Sequence, residues 1–299
     1  MLRTRLITSA VLAPIIVAIV LLGEPWLSIL IGVTAFLALV ELVGLLDAGG
    51  FEPPQVLMIV AGIALTAAGV VTTNDESVGG LVITLVTALD PPGLVAATLA
   101  AAVLLLAAVG FTRGDPRAGF VTWAVSSFGV AYIGLLLPMI VLVAHLAPPG
   151  GSAASAVGIL GIGSGVAWAL MLVLVVWGYD TGAYLTGRWL GQRRLVDHIS
   201  PSKTIEGLAG GLVVATLAAG IGALLVGLEP WHPLVIGPLV GLSAQAGDLA
   251  ESMLKRAAGR KESGFLVPGH GGVLDRIDSF LFAAPVLAGY ALLAAGRVT

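Results

Sequence analysis

The chain has 299 residues, 58% hydrophobic and only 10% charged, with a mean hydropathy of +1.06 and a formal charge of −3. Soluble domains carry about 25% charged residues, so a water-soluble globule is excluded, and unbroken apolar runs of roughly 20 residues exclude a lipid-facing barrel, whose strands alternate. No cysteine is present, which removes disulfides, thiolate metal sites and thiol nucleophiles and leaves the redox compartment open.

In chain order, apolar windows long enough to span a bilayer fall at 4–23, 27–46, 56–73, 93–111, 119–146, 156–178, 208–228, 232–250 and 279–296. The expected fold is therefore all-α, a polytopic membrane protein of about nine transmembrane helices. A shorter stretch, 78–89, is cut off by Asp90-Pro91-Pro92 and reads as re-entrant or interfacial. Arg3 and Arg5 precede the first window, which reads as an uncleaved first helix because no small-residue cleavage site follows.

The basic residues test this count. Arg3 and Arg5, then Arg113 and Arg117, then Arg188, Arg193, Arg194 and Lys203, then Lys255, Arg256, Arg260, Lys261 and Arg276 occupy four separate groups, leaving only Arg297. With nine spans and a cytoplasmic N-terminus, 13 of the 14 Lys and Arg face the cytoplasm; a crossing at 78–89 would place the two large basic loops outside while the N-terminus stayed inside, against the positive-inside rule. Function is accordingly sought on the cytoplasmic side of a cell-membrane protein. Residues 1–170 read as a helical scaffold, with Pro138 inside a span, and 171–299 as the catalytic region, with cytoplasmic loops at 179–207 and 247–278. Glu41, near the end of the second window, is either an intramembrane functional group or, as its place near a helix end favours, a carboxylate reaching the interface. Trp177, Tyr179 and Trp189 fit an interfacial aromatic belt.

Eight of the 17 acidic residues lie in the two large loops and their helix ends, interleaved with nine of the 14 basic ones. The charge rule accounts for the cations but not for the acids, and the mixture suggests a site for a metal-bound polyanion such as a nucleotide. The first cluster runs from Asp180 through Tyr184, Gly187 and Arg188 to Ser200, Lys203, Thr204, Glu206 and Gly207. Ser200 and Thr204 resemble helix-entry chemistry, with two readings open: a phosphate cradle, or an N-cap with Lys203 in solvent.

The second cluster begins at Gly247. Asp248, Glu251, Ser252 and Lys255 are spaced to share one helical face, followed by Arg256, Lys261 and Glu262. Pro268-Gly269-His270-Gly271-Gly272 then supplies closely approachable backbone before Asp275 and Asp278, two carboxylates placed to converge on a divalent cation, with Arg276 pointing elsewhere. Mg²⁺ suits sparse carboxylate ligands. Zinc does not, because the four histidines show no paired spacing. His270 has three open roles: a phosphate contact, an acid or base, or an ordering element of the loop.

The run Ser252-Met-Leu-Lys255-Arg256, Lys261-Glu262-Ser-Gly264, Pro268-Gly-His-Gly-Gly272-Val-Leu-Asp275-Arg276-Ile-Asp278 resembles the signature of the phosphatidate cytidylyltransferases, the CDP-diacylglycerol synthases. Asp180-Thr-Gly-Ala-Tyr184 and Ser200-Pro-Ser-Lys203-Thr204-Ile-Glu206-Gly207 are similar to upstream segments of that family, so the likeness covers about 177–280. Glu262 departs from the aspartate usual there, reaches one methylene further, and is not expected to be a tight metal ligand.

The resemblance implies transfer of a cytidylyl group from CTP to phosphatidate, giving CDP-diacylglycerol and pyrophosphate. Asp248, Asp275 and Asp278 are then the expected ligands of Mg²⁺, with a second cation left open. Lys203, Lys255, Arg256, Lys261 and Arg276 would neutralise phosphates. Ser200, Thr204 and the Gly269, Gly271 and Gly272 backbone would donate to them, and Ser252 and Glu206 would border the substrates. Asp180 would orient a cation or a basic residue. CTP, phosphatidate and membrane lipid are the expected partners, nucleic acid is not, and homo-oligomerisation is left open. Two rivals remain: cytidylyl transfer to a different lipid phosphate, and an ion-coupled secondary transporter, which would place charges at mid-bilayer and show a repeat.

Overall fold

The computed structural model of the chain describes residues 2–73, 91–147, 164–264, 266 and 271–294. The stretch 78–89, Gly269, His270 and Arg297 lie outside the described residues. Ten helices and one hairpin are described: α1 (Leu2–Leu22), α2 (Trp26–Ala48), α3 (Gln55–Thr73), α4 (Pro91–Phe111), α5 (Pro116–Gly134), α6 (Met139–Ala144), α7 (Ser164–Leu190), β1 (Arg194–Val196), β2 (Ser200–Thr204), α8 (Ile205–Val226), α9 (Pro233–Ala257) and α10 (Leu274–Ala294).

The described parts of the apolar windows lie mainly on helices. Among the described residues, seven stretches are long and apolar enough to cross a membrane: 26–48, 55–72, 92–111, 116–144, 165–190, 205–226 and 274–293. The fifth window is broken where Leu135–Pro138 separates α5 from α6, as expected of a proline that cannot donate to the helical ladder. The protein is a multi-pass membrane protein. Its lipid-facing chemistry is plain on α8, where Val213, Leu217, Ile221 and Leu224 recur at helical spacing and are each more than half exposed; in water such a stripe would be an aggregation surface, in a bilayer it is solvated.

The chain forms two compact units. One comprises 28–141 and 254–275, with a core of Leu39, Leu42, Met58, Leu65, Leu106 and Ile133. Here α3 packs against α4 and α5. Asp115 caps α5 by accepting from the Ala118 amide at 2.9 Å, with Pro116 at the first helical position.

The other unit comprises 1–27, 142–253 and 276–299. Its dominant contact is α7 against α8, and small residues allow it: a Cβ on Gly182 would lie 2.7 Å from Val214, and one on Gly207 2.9 Å from the Ala183 carbonyl. Without a hydrophobic drive between helices in lipid, this close backbone approach is what holds them together. Thr204 caps α8 through the Gly207 amide at 3.0 Å, and Gly227, at φ 84°, ends it.

The structure adds two features to the loop expected over 179–207. α7 continues to Leu190, so Asp180 and Tyr184 stand on a helix, and β1 pairs antiparallel with β2 to form a hairpin leading into α8. Tyr179 is not a belt residue. It is fully buried, its ring lies where Cβ atoms on Gly211 and Gly241 would meet it at 2.7 and 3.0 Å, and its hydroxyl donates to Gln245 Oε1 at 2.8 Å. Trp189, by contrast, is exposed as a belt residue should be.

Candidate active site

In the unit holding α7, α8 and most of α9, the hairpin delivers Lys203 onto Asp248 of α9. The ammonium pairs with Asp248 Oδ2, and both side chains are 25% exposed. Ser252, one turn further along α9, donates to Asp248 Oδ1 at 3.3 Å, as the i, i+4 spacing requires. Lys203 is thus not left in solvent, and Thr204 beside it does serve as the helix cap. Lys203, Asp248 and Arg276 are the charged groups that act on Asp180. Asp278 of α10 is 8% exposed and its Oδ1 accepts the Ser279 amide at 2.7 Å. The Asp278 carbonyl lies against Gly247, close enough that a Cβ there would collide with it. Asp180, Lys203, Asp248, Ser252 and Arg276 therefore belong to one cluster, partly exposed and of mixed charge, and Asp278 adjoins it through its main-chain carbonyl.

Other residues of the first motif hold the loop itself. Glu206 accepts from the Gln192 and Arg193 amides at 3.1 and 3.2 Å and pairs with Arg193 Nε at 3.0 Å, fastening the turn before β1 to the start of α8. Ser200 is buried at the start of β2.

The second unit has its own polar cluster. Lys255 pairs with Asp275 Oδ1 at 2.6 Å, while Asp275 Oδ2 accepts from the Gly272 amide at 2.8 Å and from the amide and hydroxyl of Ser263 at 3.1 and 2.9 Å. Gly271, at φ 83°, faces the same oxygen. Glu41 joins this cluster. It is 6% exposed and accepts from the Val273 and Leu274 amides, both at 2.9 Å, and from the Ser263 hydroxyl at 3.3 Å. Glu41 does not extend into solvent: its carboxylate is buried against these main-chain amides. Ser263 and the role of Glu41 went unseen in the sequence. In the fold, Gly264 and Gly272 make room for Glu41, since an added Cβ at either would press on its carboxylate.

Arg256 donates to the Arg260 carbonyl at 3.2 Å just beyond α9. Lys261 and Glu262 are exposed and, with Gly44, Leu45, Arg260 and Gly264, line a cavity of about 490 Å³.

The donors available to a cation are carboxylates. Among the described residues no three His, Asp or Glu side chains are already gathered as a cage; Mg²⁺ does not require one, since it takes one or two carboxylates and completes its shell with water and substrate phosphates. Asp248 and Asp275 each already carry a lysine ammonium, so a cation taken by either carboxylate must share it with that lysine or displace it.

Over residues 3–294 the sequence matches the cytidylyltransferase family. It is 47% identical over 132 residues to the phosphatidate cytidylyltransferase of Bacillus subtilis strain 168, a stretch covering 44% of this chain and 48% of that one. To the phosphatidate cytidylyltransferase of Synechocystis it is 42% identical over 132 residues, 44% of this chain and 45% of the other. To the uncharacterised protein YnbB of Escherichia coli K12 it is 44% identical over 126 residues, 42% of each chain. The matched stretch thus spans about half the length of these curated relatives.

Proposed function

The chain belongs to the cytidylyltransferase family, and on that premise we propose that it transfers a cytidylyl group from CTP to phosphatidate, releasing pyrophosphate and forming CDP-diacylglycerol for phospholipid synthesis. The observation that carries this reading is the Lys203–Asp248 pair set beside Asp180 and Arg276, on a multi-pass membrane chain whose named relatives are phosphatidate cytidylyltransferases.

The phosphate monoester of phosphatidate is an anionic nucleophile near neutral pH and needs no strong base. One of its oxygens attacks the α-phosphorus of CTP in line, and the bond from that phosphorus to the oxygen bridging the β-phosphorus breaks, so pyrophosphate leaves with the electron pair. The protein's task is positioning and neutralisation. Lys203 and Arg276 lie beside the acids and are suited to hold the triphosphate and the lipid phosphate. Lys255, Arg256 and Lys261 belong to the same proposal as further cations around the substrates, as do Ser200, Thr204 and Gly271 as backbone or hydroxyl donors. The Gly272 amide and Glu206 are engaged within the protein, and their part is to keep the loops in shape.

Asp248 and Asp278 would hold a Mg²⁺ ion, with Asp275, one turn before Asp278 on α10, as the third candidate. When bound, that cation would neutralise the triphosphate oxygens and the departing pyrophosphate. The distribution of 13 of 14 basic residues supports nine spans, a cytoplasmic N-terminus and a site facing the cytoplasm of the inner membrane. The division into a scaffold over 1–170 and a catalytic region over 171–299 is part of the same reading.

The test is direct. Purified protein in detergent should release pyrophosphate only when CTP, Mg²⁺ and phosphatidate are all present, and Asp278→Asn should lower turnover about tenfold or more. Release with another lipid phosphate in place of phosphatidate, or with CTP alone, would refute the substrate assignment.

A further inference from the structure

Helix α10 carries Asp275 and Asp278, and something must satisfy the unpaired amides at its first turn. Three consecutive amides are held by two carboxylates: Gly272 by Asp275, and Val273 and Leu274 by Glu41, which stands on α2 more than 230 positions away in sequence. The Ser263 hydroxyl lies within reach of both, 3.3 Å from Glu41 Oε2 and 2.9 Å from Asp275 Oδ2, and its single proton serves one of them at a time. Both Glu41 oxygens thus receive main-chain donors at the positive end of α10, an arrangement that compensates a buried charge without a salt bridge. A Cβ on Gly264 or Gly272 would press into this carboxylate, so the backbone is threaded closely around it.

We propose that Glu41 is a positioning residue: from α2 it caps α10 and, through Ser263, sets the rotation of the helix turn that presents Asp275 and, one turn on, Asp278. This rests on the cytidylyltransfer reading above and extends it by giving the N-terminal segment a share in the reaction. In this role Glu41 acts through α10 and not on the substrate. It fixes the helix whose carboxylates do the binding, and loss of such a supporting group costs about 10–100-fold in activity or metal affinity at comparable sites.

Glu41→Gln keeps the shape but turns one acceptor oxygen into an NH₂ that faces an amide donor. The expected result is a kcat about 10–100-fold lower, a KM for CTP within about threefold of wild type, and faster hydrogen exchange at the amides of 272–274 while α3, α4 and α5 keep their protection. Glu41→Asp, which retains the charge one methylene short, should recover part of the lost kcat. A kcat near wild type, or unchanged exchange at 272–274, would overturn the assignment. Should Glu41→Gln fail to survive extraction, Ser263→Ala decides: it should lower kcat by about three- to tenfold and speed exchange at Gly272, and no change in either refutes the proposal. If the wild-type protein turns over no CTP with phosphatidate, the substrate reading fails, and exchange at 272–274 in the variants still decides the role of Glu41.

Discussion

Gly247 precedes Asp248 on α9 and lies against the carbonyl of Asp278 on α10, so Gly247→Ala tests whether the spacing of these two helices matters for turnover. A Cβ at this position would sit 3.0 Å from the Asp278 carbonyl carbon and 3.2 Å from Ser279 Cα, against about 3.4 Å for ordinary contact, and closer still to the carbonyl oxygen. Both partners are main-chain atoms of a helix and no side chain can swing aside, so α9 and α10 must part by several tenths of an ångström. A misplacement of about 1 Å at a reacting centre can cost about 100-fold in rate, and we expect Gly247→Ala to lose between about ten- and 100-fold in kcat. Gly289→Ala is the control. It lies on the same α10, meets nothing within 4 Å, and should leave turnover unchanged while adding up to about 1 kcal/mol of helix stability. Both variants would be assayed for pyrophosphate release and for thermal unfolding in detergent. Near-wild-type turnover in Gly247→Ala, or an equal loss in Gly289→Ala, would refute the reasoning.

Other substitutions probe the remaining elements. Lys203→Met should lower kcat/KM for CTP by about 100-fold, since it removes a phosphate partner and strands the Asp248 carboxylate. Lys203→Arg should rescue only part of this, because a planar guanidinium does not replace a compact ammonium; full activity in Lys203→Met would contradict the assignment. Thr204→Ala should lower stability by about 1 kcal/mol through loss of the α8 cap, measured as earlier unfolding in a denaturant series, with most activity retained. Removal of divalent cations with a chelator should stop turnover and added Mg²⁺ should restore it; activity that persists through chelation would remove the cation from the mechanism.

The helical, membrane-spanning character was the most legible part of the sequence, because apolar run length is a direct physical requirement of the bilayer, and seven long apolar stretches stand among the described residues. The shared face of Asp248 and Ser252 was also readable, since i, i+4 spacing on a continuing helix leaves little freedom. What the sequence hid was non-local. Nothing near Glu41 announces that its partners are the amides of Val273 and Leu274, and nothing near Lys203 names Asp248. The hairpin of β1 and β2 has strands of three and five residues, one holding Pro201, too short for an alternating pattern to register. Tyr179 sat at the end of an apolar run, where an aromatic anchor and a buried ring look alike; Gln245, which receives its hydroxyl, settles the difference.

The measurement closest to the central claim follows the phosphorus. CTP labelled at the α-phosphate, incubated with the purified protein, Mg²⁺ and phosphatidate, should send its label into the lipid phase, whereas label at the γ-phosphate should remain in the aqueous phase as pyrophosphate. Label from the γ-position appearing in lipid, or no lipid label from either, would contradict cytidylyl transfer by this protein.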